Sequence, residues 1–290
     1  IVSFPAPIIG AFLYQAFGSL VTLIEAAERV LTSEDEEIAK TLERELRKAR
    51  IGLHAGVRIG SLSTESGICR ATLSNGKEVS ADQVLVTVGR AVNTEGLGLE
   101  VLGIRTGSRG EISVNDRMET SVPGIYAIGD VTGKLMLAHV ASHQGIVAAE
   151  NALGGSESMD YAAIPAGIFT KPEIGSVGLR EYQAVEQGTA VRIGRFLYRT
   201  LGKAHADGEI AGMVKIVAAA ATDRVLGVHI IGAHASDIVH EGALAIRMGA
   251  TAKQLAGMVH AHPTLAEAVM EAAGDVHAAA VHAPRPKDRS

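Results

Sequence analysis

Between residues 21 and 88, short aliphatic runs alternate with a single amphipathic stretch, and that alternation limits the fold more than any other feature. Val21-Thr-Leu-Ile24 is an apolar run ending on Glu25, the pattern of a buried strand. Ser33 to Arg50 is charged, with Ile38, Leu42 and Leu46 spaced by four. This spacing predicts an amphipathic helix, and Ser33-x-x-Glu36 resembles a capping box at its start. Gly52 to Leu62 and Ile68 to Leu73 read as strands. Asn75-Gly76 is a hairpin turn signal, and Ala81 to Val88 reads as another buried strand closing on Gly89-Arg90. Strand, helix and then strands predict a parallel α/β sheet with an antiparallel excursion. Aromatic residues are 3% of the chain against 47% hydrophobic, so the core is built from Ala, Val, Ile and Leu, as in packed α/β layers.

Farther along, Gly124 to Ile128 reads as a strand ending in Gly129-Asp130, and His139 to Leu153 as an Ala-rich helix. Gly154-Gly-Ser-Glu-Ser158 is a linker. The last third has a different texture: Ala163 to Thr170, Arg192 to Leu197, Gly212 to Ala218 and Val225 to Ile231 read as strands, with a turn at Asp223-Arg224. Helices follow at Ala235 to Met248, Thr251 to Val259 and Leu265 to Ala273. Strands followed by helices predict an α+β domain. From His277 onward the chain reads as a frayed tail.

Charge and composition narrow the function. There are 27 basic and 32 acidic residues, for a net charge of −5, and no basic run, which argues against a nucleic-acid partner. No apolar stretch reaches the ~18 residues of a membrane span, and no signal peptide is visible. Cys69 is the single cysteine; it excludes an intrachain disulfide framework and a Cys-x-x-Cys metal site. A cytoplasmic location and no metal are expected.

Three places carry possible chemistry. A dinucleotide-binding loop needs glycines at i, i+2 and i+5 so that backbone can approach the pyrophosphate at a helix N-terminus. Here those offsets hold Pro5, Pro7 and Gly10; proline removes an N–H donor and forbids positive φ. Glu25, twenty residues after Pro5, stands where an acid takes the ribose hydroxyls of NAD, or is a solvated strand-end residue. The second place is Gly129-Asp130, where a carboxylate at a strand end binds ligand hydroxyls or caps a helix. The third is His260-Ala-His262-Pro263-Thr264-Leu-Ala-Glu267. Histidine cycles a proton near neutral pH, and a carboxylate on its other ring nitrogen fixes the tautomer. Pro263 disfavours the α conformation at His262, so His262 is expected to project from a loop, with Thr264 capping the next helix. The pair His260 and His262 also suggests a metal, without a cysteine or carboxylate pair to support it. On chemistry alone, a plain His-Pro turn and a surface glutamate are the simpler account.

A family resemblance reverses that preference. Gly124-Ile-Tyr-Ala-Ile-Gly-Asp-Val131 followed by Met136-Leu-Ala-His139 resembles the second flavin-contacting segment of the pyridine nucleotide–disulfide oxidoreductases. His260-Ala-His-Pro-Thr-Leu-x-Glu267 resembles the signature of the dihydrolipoamide dehydrogenases within them. Ala26-Ala-Glu-Arg-Val30, Gly89-Arg-x-x-Asn93 and Phe169-Thr-Lys-Pro-Glu-Ile174 extend the likeness over nearly the whole chain. The resemblance implies an NAD-binding Rossmann-like domain with an incomplete start (1–119), a C-terminal segment of an FAD-binding domain (120–158), an α+β dimerisation domain (159–276) and a flexible tail (277–290).

It also implies a flavoprotein oxidoreductase that turns dihydrolipoamide and NAD into lipoamide and NADH. His262 would be the acid/base and Glu267 its orienter. Gly129, Asp130, Met136, Leu137, Ala138, His139 and Phe169 would contact FAD, and Gly10, Glu25, Ile59 and Gly89 would line NAD. The implied partners are a second copy of the chain, as a homodimer, and dihydrolipoamide or a lipoyl-bearing protein. The family's first glycine loop and its Cys-x-x-x-x-Cys are not among these residues, and Cys69 is no substitute. A truncated form without complete turnover is therefore expected; the alternatives are an inactive dimerisation or binding module, or another disulfide reductase of the superfamily.

Overall fold

The computed structural model describes residue 16 and residues 18–283. The chain divides into two compact units, residues 1–89 with 165–290, and residues 90–164.

The first unit is organised by an antiparallel sheet. Its strands are β6 (Ala166–Ile168), β7 (Ile174–Gly178), β8 (Val191–Leu197), β9 (Met213–Ala219) and β10 (Val225–Ile231), in the order β6-β7-β10-β9-β8. Period-two alternation splits β9 between two faces. Val214, Ile216 and Ala218 join Val228 and Ile230 of β10 in one core, against helices α5 (Ala235–Arg247), α6 (Ala252–Ala256) and α7 (Glu267–Asp275). Two glycines permit that close packing: a Cβ at Gly175 of β7 would overlap the Ala235 carbonyl, and one at Gly194 of β8 the Ala272 carbonyl. The second gap sets the height of α7 above the sheet, and Asp275 at the end of α7 accepts the Arg195 backbone N–H at 2.9 Å.

Met213 and Ile231 point to the other face, where Ile168 and Ile174 join them in a second core with α1 (Glu36–Lys48). The helix contributes Ile38, Leu42 and Leu46, each fully buried and each stabilising by about 1.5–3 kcal/mol. Its N-cap is Asp35, whose side chain accepts the Glu37 N–H; the expected Ser33–Glu36 capping box does not form, because the helix starts later. Short β1 (Thr22–Ile24) and β2 (Gly52–His54) pair in parallel beside this helix. β3 (Ile59–Glu65), β4 (Ile68–Leu73) and β5 (Glu78–Ala81) form a separate antiparallel sheet, with Asn75-Gly76 in the β4–β5 turn and Gly76 at φ 79°. Helices α3 (Glu181–Glu186) and α4 (Gly202–Ala206) complete the unit.

Lys215 shares the Met213 face, so its ammonium is buried. Nζ lies 3.0 Å from Asp35, 2.7 Å from Glu37 and 2.7 Å from Glu181. Arg195 adds a bidentate pair to Glu37 at 2.7 Å for both bonds. The acidic first turn of α1 is thereby docked on the sheet.

Three further expectations fail. Residues 83–88 form no strand, and Val84, Leu85, Val86 and Val88 are exposed; among the described residues no strand pairs with them, so the apolar run has neither ladder nor cover. Gly124 to Ile128 is also not a strand, since only an isolated bridge, Glu119 to Tyr126, forms there. Residues 277–283, expected to fray, are instead held, with the N–H groups of Val281 and His282 donating to Glu271 at 2.8 and 3.2 Å.

In the second unit, α2 (Ala138–Ala152) buries Val140 and Val147 against Met118 and Met159, and a 3-10 turn covers Gly129–Thr132. Among the described residues of both units, no helix is long and apolar enough to cross a membrane.

Burial pushes the Glu37 carboxyl up, but hydrogen bonds from Arg195 and Lys215 outweigh it and hold the group at about 2. A depressed carboxylate contributes stability above its unfolded value of ~4.3, and the contribution is lost as pH falls through the folded value. E37Q is therefore expected to cost roughly 1–2 kcal/mol above pH ~5, allowing for solvent screening, with the deficit shrinking as pH falls from ~4 to ~2. Urea unfolding of both proteins across that range measures it.

Candidate functional site

The segment between α6 and α7 brings His262 and Glu267 together. His262 Nδ1 is 2.9 Å from Glu267 Oε1. The histidine side chain is 78% exposed and the glutamate 16%, so a mostly covered carboxylate holds one edge of an open imidazole. With Nδ1–H donating to the carboxylate, Nε2 is left to accept a proton, and Glu267 stabilises the cation that forms. The His262–Pro263 peptide is cis.

Thr264 does not cap α7 as expected. Its backbone N–H donates to Glu267 Oε2 at 2.8 Å and its hydroxyl to the Ala261 carbonyl at 2.8 Å. Both carboxylate oxygens are thus committed, one to the ring and one to the loop. Burial pushes Glu267 up, but the Thr264 N–H and then His262 outweigh it and hold the carboxyl below its usual range.

His260, the other histidine of the motif, is not beside His262 as a co-ligand. Its side chain is 4% exposed, with Nε2 2.8 Å from Glu241 Oε1 on α5. Among the described residues no cluster of three or more His, Cys, Asp or Glu suits a metal ion. The Glu241 pairing was not apparent in the sequence, because nothing in a helix pattern says which exposed-looking acid turns inward.

The residues expected at the nicotinamide cofactor occupy separate segments. Glu25 follows β1 and is 6% exposed. Its Oε1 accepts the Ala27 N–H at 2.8 Å, and a carboxylate has lone pairs left for a ribose hydroxyl. Ile59 opens β3. Gly89 follows the exposed run at φ 140°, with open space where a Cβ would stand. Gly10, with Pro5 and Pro7, lies outside the described residues.

The residues expected at the flavin fall in both units. Gly129 has φ 74° and donates its N–H to Gln144 at 2.6 Å; a Cβ there would come 3.3 Å from Ala141. This bare backbone suits close approach of a planar or sugar-phosphate group. Asp130, next in line, is paired with Arg90, a partner missed in the sequence, where Gly89-Arg90 reads as a strand end and Gly89 as an NAD contact. Met136 and Leu137 lead into α2, and Ala138 and His139 form its first turn, with no side-chain cap at Leu137. A helix start without such a cap accommodates negative charge. Phe169 follows β6 in the first unit and is 62% exposed.

Comparison with known proteins gives a consistent result. Residues 8–145 match the family described as pyridine nucleotide-disulphide oxidoreductase, and residues 164–273 match the dimerisation domain of the same family. The dihydrolipoyl dehydrogenase of Chlamydia muridarum is 43% identical over 263 residues, covering 91% of this chain and 56% of that protein. That of Thermus scotoductus is 41% identical, covering 93% and 59%, and that of Bacillus subtilis 43%, covering 94% and 58%. The crystal structure of LpdA from Mycobacterium tuberculosis superposes with a TM-score of 0.85 at 31% identity, covering 93% of this chain and 59% of that one. The flavoprotein disulfide reductase RclA of Escherichia coli shares the fold, with a TM-score of 0.87 at 24% identity. The chain spans somewhat over half the length of the curated relatives it matches.

If Glu267 sets the tautomer, ring-nitrogen NMR of the labelled protein will show His262 carrying its proton on Nδ1 in the neutral form. E267A is expected to shift the population toward the Nε2-protonated form that free imidazole favours, and an unchanged spectrum would refute the pairing.

Proposed function

Since the chain belongs to the pyridine nucleotide–disulphide oxidoreductase family, we propose that it is the C-terminal portion of a dihydrolipoamide dehydrogenase, with His262 as acid/base and Glu267 as its orienter. The observation that carries this reading is the 2.9 Å contact between His262 Nδ1 and a Glu267 carboxylate whose other oxygen is tied to Thr264. In dihydrolipoamide oxidation a thiol must lose its proton before it attacks a disulfide. His262 Nε2 takes that proton, and Glu267 holds the resulting imidazolium in place. One cysteine cannot supply the disulfide that this thiolate attacks, so in this reading the disulfide comes from another polypeptide segment, on the second subunit of a homodimer.

FAD and NAD, when bound, supply the electron relay from dithiol to nicotinamide. Asp130, Gly129 and the Met136–His139 segment would hold the flavin nucleotide; Gly10, Glu25, Ile59 and Gly89 would line NAD. Dihydrolipoamide or a lipoyl-bearing protein is the substrate, and a cytoplasmic setting belongs to the same reading. The exposed apolar run at 84–88 favours a second reading, in which the chain only dimerises and binds a partner.

The test is co-expression with a polypeptide bearing the family's first glycine loop and redox cysteine pair. Flavin binding and NAD-dependent lipoamide turnover are expected for the combination and not for the chain alone. H262Q in that assembly is expected to lower turnover by about 10²–10⁴-fold. Undiminished turnover in H262Q would overturn the assignment, and a stable dimer that gains neither flavin nor activity would support the second reading.

A further inference from the structure

His262 is the most exposed part of its own site, and its position depends on the loop that bears it. That loop is tied down after the histidine by Thr264, through Glu267 Oε2 and the Ala261 carbonyl. Before it, the tie is His260. One ring nitrogen of His260, Nδ1, is 3.0 Å from the Met258 carbonyl, and the other, Nε2, is 2.8 Å from Glu241 Oε1. A carbonyl oxygen only accepts, so Nδ1 carries a proton. One further proton is then shared between Nε2 and the Glu241 carboxyl, and wherever it sits the pair is net neutral. The ring therefore bridges the 258–260 backbone to the middle of α5, with both nitrogens used and the side chain 4% exposed.

We propose that His260 and Glu241 are positioning residues for His262: a second, buried imidazole–carboxylate pair that anchors the near side of the acid/base loop to α5. The inference rests on reading His262 as the acid/base only for its importance; the anchoring itself is a property of the loop. Two imidazole–carboxylate pairs two residues apart have opposite settings, one open to do chemistry and one closed to hold it. Burial pushes the Glu241 carboxyl up, against the pull of His260, as a buried carboxyl facing a single partner should behave.

The substitutions separate anchoring from general destabilisation. In E241A and H260A the tie is gone. In E241Q the amide donates to Nε2 while Nδ1–H stays on Met258, so a neutral histidine satisfies every group and the tie survives. Measured on the isolated chain, amide hydrogen exchange across 258–264 is expected to accelerate by about tenfold or more in E241A and H260A. Their His262 ring-nitrogen spectrum should lose its single tautomer, with the spectrum of the five-stranded sheet unchanged. E241Q should resemble the parent in both respects. Parent-like exchange and a parent-like His262 spectrum in E241A would overturn the proposal, and so would E241Q behaving like E241A. None of these readouts needs turnover, so the anchoring can fail while lipoamide activity of the assembled enzyme stands, or hold while that activity is absent.

Discussion

Lys215 carries a charge into a place where water does not follow, and much of the first unit is arranged around that fact. An ammonium that is 2% exposed is tolerable only with partners, because an uncompensated buried ion costs several kcal/mol. Its partners are Asp35 and Glu37 of the α1 start and Glu181 of α3. The carboxylates that cap and begin α1 are thus the same ones that neutralise the sheet. The helix cannot rotate about its axis without stranding the lysine, so Ile38, Leu42 and Leu46 are kept on the face that meets Met213 and Ile231. Apolar burial supplies the driving force in this layer, and the ion cluster supplies the register.

How legible each element was follows from where its burial comes from. β10 runs Val225–Ile231, as its aliphatic run predicts, because neighbours on both edges and cores on both faces reward every residue. Residues 83–88 are similarly rich in aliphatic side chains and form no strand. Composition encodes a capacity to be buried; the ladder and the covering layer come from elsewhere in the fold. The helix start at Ser33 failed for a related reason: Asp35 is equally able to cap, and its tie to Lys215, 180 residues away, is invisible in a local pattern.

The candidate site was legible in a different way. Spacing alone put His262 and Glu267 five residues apart across a loop and helix start, which permits a pairing without requiring it. Family resemblance supplied the preference, and the geometry supplied a detail that neither contained: Thr264 occupies the second carboxylate oxygen. Glu267 is thereby held through one oxygen by the loop while its other oxygen meets the imidazole. Arg90 beside Asp130 and Glu241 beside His260 lay beyond sequence reasoning, since each joins residues that no periodicity connects.

The two histidines of the motif show why residue type alone does not assign chemistry. Both have a carboxylate within hydrogen-bond distance, at 2.9 Å and 2.8 Å. What separates them is the second nitrogen. In His260 it is spent on the Met258 carbonyl and closed off from solvent; in His262 it belongs to a ring 78% exposed. A group that exchanges protons with a substrate must keep one nitrogen reachable, and a group that holds a backbone in place must not. The loop between α6 and α7 keeps both conditions within three residues, and the glycine gap at Gly194 that lets α7 settle on β8 fixes the height at which Glu267 meets the exposed one.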